Sequence, residues 1–299
     1  MKDEVIVFSS TGECLNYNEL RDIHRREFME ELAEIQHNKR KGNEIRKSRE
    51  KFHIYLSESF GSFYFNKYNK TIDKFIVNGK YEGGMAFRFI YLCSFMDFDC
   101  KLLYGSKFRN KERDFMQEKD LQEVLNLSKR ETINTKIFLF ELGLLKKDEN
   151  GNLMVNRMYS TKGNITESYN RESTRFFDAT IKQMYKEAKP SEHKLLGIYL
   201  KLLPLVNYKH NVICKNPDEE DIARVIPMTQ KQIFEYLGLT KNTYIKLLDI
   251  KVGNRYVYAK ISTGAYKGFF IVNPAVYYAG NDLKQLKGIE CLFKIGQAA

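Results

Sequence analysis

The chain has 299 residues, 43% hydrophobic and 29% charged, with 49 Lys and Arg against 38 Asp and Glu for a net charge of +11. That apolar content supports packed cores and excludes global disorder, and the length predicts two or three domains of roughly 100–200 residues. The basic excess favours a polyanionic partner, either nucleic acid or an anionic membrane surface.

The stretch EVIVF, from Glu4, reads as a short strand. From Asn18 a helical pattern follows, carried by Leu20, Ile23, Phe28, Leu32 and Ile35. After Gln36 the composition shifts to HNKRKGNEIRKSREK, where Lys39, Arg40, Lys41, Arg46, Lys47, Arg49 and Lys51 face only Glu44 and Glu50, and Gly42 weakens the helix. The expectation is a basic arm that neutralises phosphates. The rivals are a solvated linker and a membrane-facing patch, and no broad apolar stripe lies beside it to insert. FGSFYFNKYNK, from Phe60, alternates aromatic and polar residues; single-stranded bases stack on such patterns, but a half-buried strand at a core edge is the commoner outcome.

From Phe87 an apolar helix, FRFIYLCSFMDF, precedes MQEKDLQEVLNLSK at Met116. There Leu121, Val124 and Leu125 share one face of a short helix, and Asn126-Leu127 makes a turn. Ser128 is a good N-cap, with Glu131 completing a capping-box pattern. The next helix is expected to run to about Glu141 with Ile133, Ile137 and Phe140 inward, and to stop at Gly143. LLKKDENGNLMVN then predicts a hairpin around Asn150-Gly151. Helix, tight turn, capped helix and hairpin is the order of a winged helix-turn-helix. The following RESTRFFDATIKQMYKEAKP predicts a connecting helix with Phe177, Ile181, Met184 and Tyr185 inward.

The same order then recurs. MTQKQIFEYLGLTK begins at Met228, and it repeats the Met116 segment without a gap. LLGIYLKLLPLV, from Leu195, parallels the Phe87 helix, and FIVN ending at Asn273 parallels LMVN ending at Asn156. Gly238 takes the turn place of Asn126, Thr240 the cap place of Ser128, and RYVYAKI and GFFIVN flank an STGAYKG turn. The repeat unit is roughly ninety residues, at about 83–165 and 192–282. The expected division is residues 1–82 as a helical basic region, 83–165 and 192–299 as winged-helix domains, and 166–191 as the connecting helix. The fold class is mainly α with small β wings (α+β).

GGMAFRFIYLCSFMDFDCKLL, LQEVLNLSKRETI and IVNPAVYYAGND resemble winged-helix proteins of phages and plasmids of Gram-positive bacteria, of the replication-initiator-like and MarR-like kinds. The resemblance spans 83–165 and, more loosely, 225–282, and not residues 1–60; the first copy departs from it with Arg157 where the second has Pro274. It implies duplex DNA binding, in either replication or transcriptional regulation.

In such a module the second helix enters the major groove. The candidate contacts are Ser128, Lys129, Arg130, Thr132, Asn134 and Thr135 in the first copy. In the second they are Thr240, Lys241, Asn242, Thr243, Tyr244 and Lys246, with Lys260 and Lys267 on the wing. Arg and Lys suit guanine, Asn suits adenine, and hydroxyls suit phosphates. The first wing carries Asp148 and Glu149, so the second copy is expected to be the better reader, with the first also serving dimerisation.

Chemistry finds little support. Cys14, Cys93, Cys100, Cys214 and Cys291 form no CxxC pair, the five histidines show neither HxH nor HExxH spacing, and GxxxxGK is absent. Asp97 and Asp99 could take magnesium but more simply end the upstream helix; Tyr277-Tyr278 reads as packing, and Asp218–Asp221 as a solvated insertion. The start MKDEVIVFSS lacks the features of a secretory leader, and no run of eighteen apolar residues occurs. The expectation is a cytoplasmic, non-enzymatic protein without metal or cofactor. Its partner is duplex DNA, together with a second copy or the replication or transcription machinery; the alternative is a protein-interaction module.

Overall fold

The computed structural model describes residues 6–8, 14–104, 114–163, 173–261, 267–280 and 282–297. The chain is mixed α+β with short antiparallel strands, and it divides into two compact units, residues 1–54 and 55–299.

In the first unit β1 (Ile6–Phe8) pairs with β2 (Cys14–Asn16), and α1 (Tyr17–Phe60) follows, its residues 55–60 belonging to the second unit. Glu4 and Val5, expected to begin the first strand, lie outside the described residues. α1 is one helix of 44 residues, so the weakening expected at Gly42 does not end it. One internal glycine costs only about 1 kcal/mol relative to alanine, and the Lys, Arg and Glu residues around it are good helix formers. Lys39, Arg40, Lys41, Arg46, Lys47 and Arg49 are all exposed along this helix, which makes the basic segment a rod rather than a loose arm.

The second unit contains two halves with the same frame. The first runs through β3 (Phe63–Asn66), α2 (Tyr68–Lys74), β4 (Ile76–Val77), β5 (Lys80–Tyr81) and α3 (Gly83–Cys93). It continues with α4 (Leu121–Leu125), α5 (Lys129–Glu141), β6 (Leu145–Lys147), β7 (Leu153–Val155) and β8 (Ser160–Thr161). The second has β9 (Thr174–Phe177), α6 (Asp178–Glu187), α7 (His193–Lys201), α8 (Gln230–Leu237) and α9 (Lys241–Leu248). Its strands are β10 (Lys251–Val252), β11 (Arg255–Tyr256), β12 (Tyr258–Lys260), β13 (Phe270–Val272) and β14 (Tyr277–Tyr278), and α10 (Leu283–Gln297) comes after them. The domain boundaries expected at 82/83, 165/166 and 191/192 all fall inside this unit.

The halves repeat each other's hydrogen bonds. Cys100 and Asn211 both adopt a left-handed backbone, with φ of 64° and 54°. Their carbonyls accept from Val155 N and Val272 N, each at 2.9 Å. Met116 N bonds Leu102 O at 2.8 Å, and Met228 N bonds Ile213 O at 3.0 Å. The Asn156 and Asn273 side chains accept from the backbone N–H two residues ahead, Met158 and Ala275. The Asp97 side chain likewise accepts from Asp99 N and Lys101 N, and Asn207 from Lys209 N and His210 N. Asp97 is therefore a turn-forming residue with a polar counterpart in the second half.

The correspondence reaches further upstream than the sequence repeat. Thr174–Phe177 form a strand where one continuous helix was expected, and helix begins only at Asp178. β9 joins a four-stranded sheet of order β14-β9-β3-β8. Ser160 and Tyr277 occupy equivalent places, since their N–H groups bond Asn156 O and Asn273 O. Ser160 lies opposite Asn66, and Tyr277 opposite Phe176. Phe65 and Arg175 are therefore equivalent, and they face each other across the β3–β9 pair. A local two-fold axis thus passes between the central strands.

Tyr64, Phe65, Phe176 and Phe177 are all buried in that sheet. The aromatic run from Phe60 thus forms core, leaving Tyr64 and Phe65 no face for stacking bases. The Arg175 guanidinium is buried over the Phe63 and Phe65 rings and donates to the carbonyls of Ala279 and Gly280. Tyr277 and Tyr278 are buried as well. Beside the sheet α3 packs along α7, and Gly83 and Gly197 meet backbone to backbone at their contact.

Candidate nucleic-acid interface

In the first half Leu121 and Leu125 anchor α4 in the core, and Asn126 turns the chain with φ of 47°. The turn needs a residue that tolerates a left-handed conformation, which asparagine does. Ser128 Oγ caps α5 by accepting from Glu131 N at 3.3 Å. Ser128, Lys129, Arg130 and Asn134 are exposed.

Two expected contacts on α5 are corrected by burial. Thr135 is 0% exposed and its Oγ1 accepts from Arg88 Nη1 at 2.9 Å; Thr132 is also buried and donates to Ser128 O at 3.0 Å. The physical reason is Arg88, a buried guanidinium from α3 beneath α5. A buried charge needs hydrogen-bond partners, and Thr135, Glu131 Oε1 at 3.3 Å and His193 Nδ1 at 3.4 Å supply them. This fixes the rotation of α5, so that Ile133 and Ile137, expected inward, are 41% and 46% exposed. Sequence reasoning missed Arg88; the available signal was a lone charge within GGMAFRFIYLC.

His193 completes this network. Burial first, then the positive charge of Arg88, hold its imidazole down to about 4, so it is neutral in the fold near pH 7. An unfolded histidine titrates near about 6.5. The resulting stability is complete above about pH 6.5 and is lost as the pH falls toward 4. Wild type is expected to lose more stability than His193→Gln between about pH 7.5 and pH 5 in urea denaturation. Equal losses would remove His193 from this role.

The first hairpin is less acidic than its sequence. Asp148 Oδ2 pairs with Lys101 Nζ at 2.7 Å, and its oxygens also accept from Asn150 N, Asn152 N and Asn152 Nδ2. The Lys101 ammonium, then the Asn152 amide, hold its carboxyl well below the usual carboxylate range. Glu118 binds Lys147 at 2.6 Å and Lys136 at 2.9 Å.

In the second half Thr229 and Gln232 form a reciprocal capping box at the start of α8. Gly238 turns the chain with φ of 63°, and Thr240 Oγ1 accepts from Thr243 N at 3.4 Å. Thr240, Asn242 and Lys246 are exposed and Thr243 is half-buried; the side chains of Lys241 and Tyr244 lie outside the described residues. Lys260 and Lys267 are exposed at either side of the 262–266 turn, which is also outside the described residues. An unexpected hairpin, β10–β11, presents exposed Lys251 and Arg255; Gly253-Asn254 was its readable turn signal. Gly253 N ties it to Glu187 Oε2 on α6 at 3.1 Å.

Among the described residues no cluster of three or more His, Cys, Asp or Glu could hold a metal ion, and no helix is long and apolar enough to cross a membrane. No protein-family model matches the chain, and neither does any curated protein or solved structure.

Proposed function

We propose that the chain binds duplex DNA, as a phage or plasmid replication initiator or a transcriptional regulator, with each half of the second unit acting as a winged helix. α5 and α9 are the recognition helices, β6–β7 and β12–β13 the wings, and the basic face of α1 adds phosphate contacts. One observation supports this reading above the others: the same hydrogen-bonded frame occurs twice, and each time the second helix of the pair is capped and turns polar or cationic residues outward. The two-fold relation in the sheet favours half-sites in opposite orientation. The reading places the protein in the cytoplasm, where its DNA is.

The exposed Ile133 and Ile137 favour a second role for the first half. Exposed apolar side chains on a helix that is otherwise polar on its outer face suit a protein surface, either a second copy or a component of the replication or transcription machinery.

The test is binding to random duplex DNA as salt rises. With six to ten phosphate contacts, affinity should fall by roughly 10³–10⁵ between about 50 and 200 mM salt. An affinity indifferent to salt would leave the protein-interaction alternative in its place.

A further inference from the structure

A cleft of about 750 Å³ opens between α3, α4 and α6. That is within the range of small-molecule sites, roughly 300–1,000 Å³. One wall is apolar, built from Tyr91, Phe95, Leu103 and Val124. Within it the Tyr91 and Tyr185 rings stack at 3.7 Å, nearly parallel at 6°, and the Tyr185 and His193 rings lie 4.3 Å apart.

Beside this wall α6 adds cations. Lys182 Nζ sits 4.2 Å from the centre of the Phe95 ring and has no carboxylate within salt-bridge reach among the described residues. Burial lowers its pKa, an effect partly offset by Asp178. Lys186 also lines the cleft and is exposed. Of the other charges Lys162 and Asp178 cancel, while Glu123 keeps its own, so the three lysines outnumber the two carboxylates by one. Lys162 Nζ holds Asp178 Oδ2 at 2.6 Å, with Ser62 Oγ on the same oxygen, and Glu123 accepts from Tyr104 Oη at 2.8 Å.

One buried donor on a cleft residue, His193 Nε2, has no hydrogen-bond partner among the described residues; Asp178 Oδ1 has none either, but as a carboxylate oxygen it does not favour an anion. His193 is 1% exposed. Its Nδ1 accepts from Arg88, so Nε2 carries the proton and is a donor without an acceptor. Unmet groups of this kind are costly and are a reason to look for a partner that the protein itself does not supply.

We propose that this cleft binds a small organic anion: an apolar ring against Leu103 and Val124, with a carboxylate, sulfonate or phosphate held by Lys182 and Lys186. The site does not depend on the DNA reading. It does border the turn of the first helix pair, because Leu125 and Asn126 line it and Tyr185 Oη bonds Leu125 O at 2.9 Å. An occupant would therefore touch the turn that leads into α5.

The experiment uses the full chain and the fluorescent anion anilinonaphthalene sulfonate, with neutral phenylnaphthylamine as its uncharged counterpart. The sulfonate should bind saturably at one site, and Lys182→Met should weaken it by about tenfold or more, the loss expected for a hydrogen bond to a charged group. Lys284→Met, on exposed α10 surface, should leave binding unchanged, and the neutral probe should be insensitive to Lys182→Met. Without probe, Lys182→Met should melt no lower than wild type, which separates lost binding from lost fold. Equal sulfonate affinity in wild type and Lys182→Met, or binding that never saturates, would overturn the proposal.

Discussion

Gly197→Ala is expected to destabilise the protein by about 3 kcal/mol, the upper end for overpacking a close contact. A methyl group at Gly197 would fall well inside contact distance of the Gly83 carbonyl and Cα, and all of those atoms are backbone. No side-chain rotation can relieve the clash, so α3 and α7 must separate. Both helices are packed with large side chains, including Phe87, Phe89, Leu92, Tyr199 and Leu200, so the separation opens voids in the core. The reciprocal change, Gly83→Ala, would place its methyl 2.8 Å from Lys194 O and should cost less. Gly288→Ala is the control. Gly288 lies within α10 with nothing within 4 Å of an added methyl, so this change should stabilise by up to about 1 kcal/mol. Urea midpoints at constant m-value measure all three. A neutral Gly197→Ala would mean the helices do not approach as closely as described.

On the DNA reading, Lys241→Ala/Asn242→Ala should weaken binding to a selected duplex by about 3 kcal/mol, roughly a hundredfold, since each good base contact contributes about 1–3 kcal/mol. Lys129→Ala/Arg130→Ala should cost roughly tenfold. The ranking no longer rests on an acidic first wing, because Lys101 already pairs with Asp148. It rests on the outward faces of the helices. α9 shows Asn242 and Lys246, whereas α5 sets Ile133 and Ile137 among its cations. Lys246→Ala should lower the salt slope by about 0.9, the share of one phosphate. Fluorescence anisotropy over a salt series measures both quantities. A larger loss from the α5 pair would reverse the assignment of the stronger reader.

The readable parts of this fold were local. Ser128 and Thr240 as caps, Asn126 and Gly238 as left-handed turns, and the Asn150-Gly151 hairpin each depend on chemistry within a few residues. The rotation of α5 was not readable, because it is set by Arg88, about forty residues earlier in the chain, and by His193, beyond it. Helical periodicity alone favours Ile133 and Ile137 inward; a buried guanidinium seeking acceptors turns Thr135 inward instead. Thr174–Phe177 was misread as helix for a similar reason. Its partner strand lies more than a hundred residues away, and local preference does not register such pairing. Of the candidate interface, the exposed ends of α5 and α9 were legible, while the cleft beside α6 was not, since its walls come from segments far apart in sequence.

The β3–β9 pairing also suggests the protein's origin. Strands that meet across a two-fold axis are what two identical subunits would offer each other, and here both belong to one polypeptide. Tethering converts a bimolecular encounter into an internal one, so the pair no longer dissociates on dilution. Once joined, the copies are no longer bound to stay identical. Here one outer helix carries exposed Ile133 and Ile137 and the other exposed Asn242 and Lys246, an asymmetry closed to a symmetric homodimer.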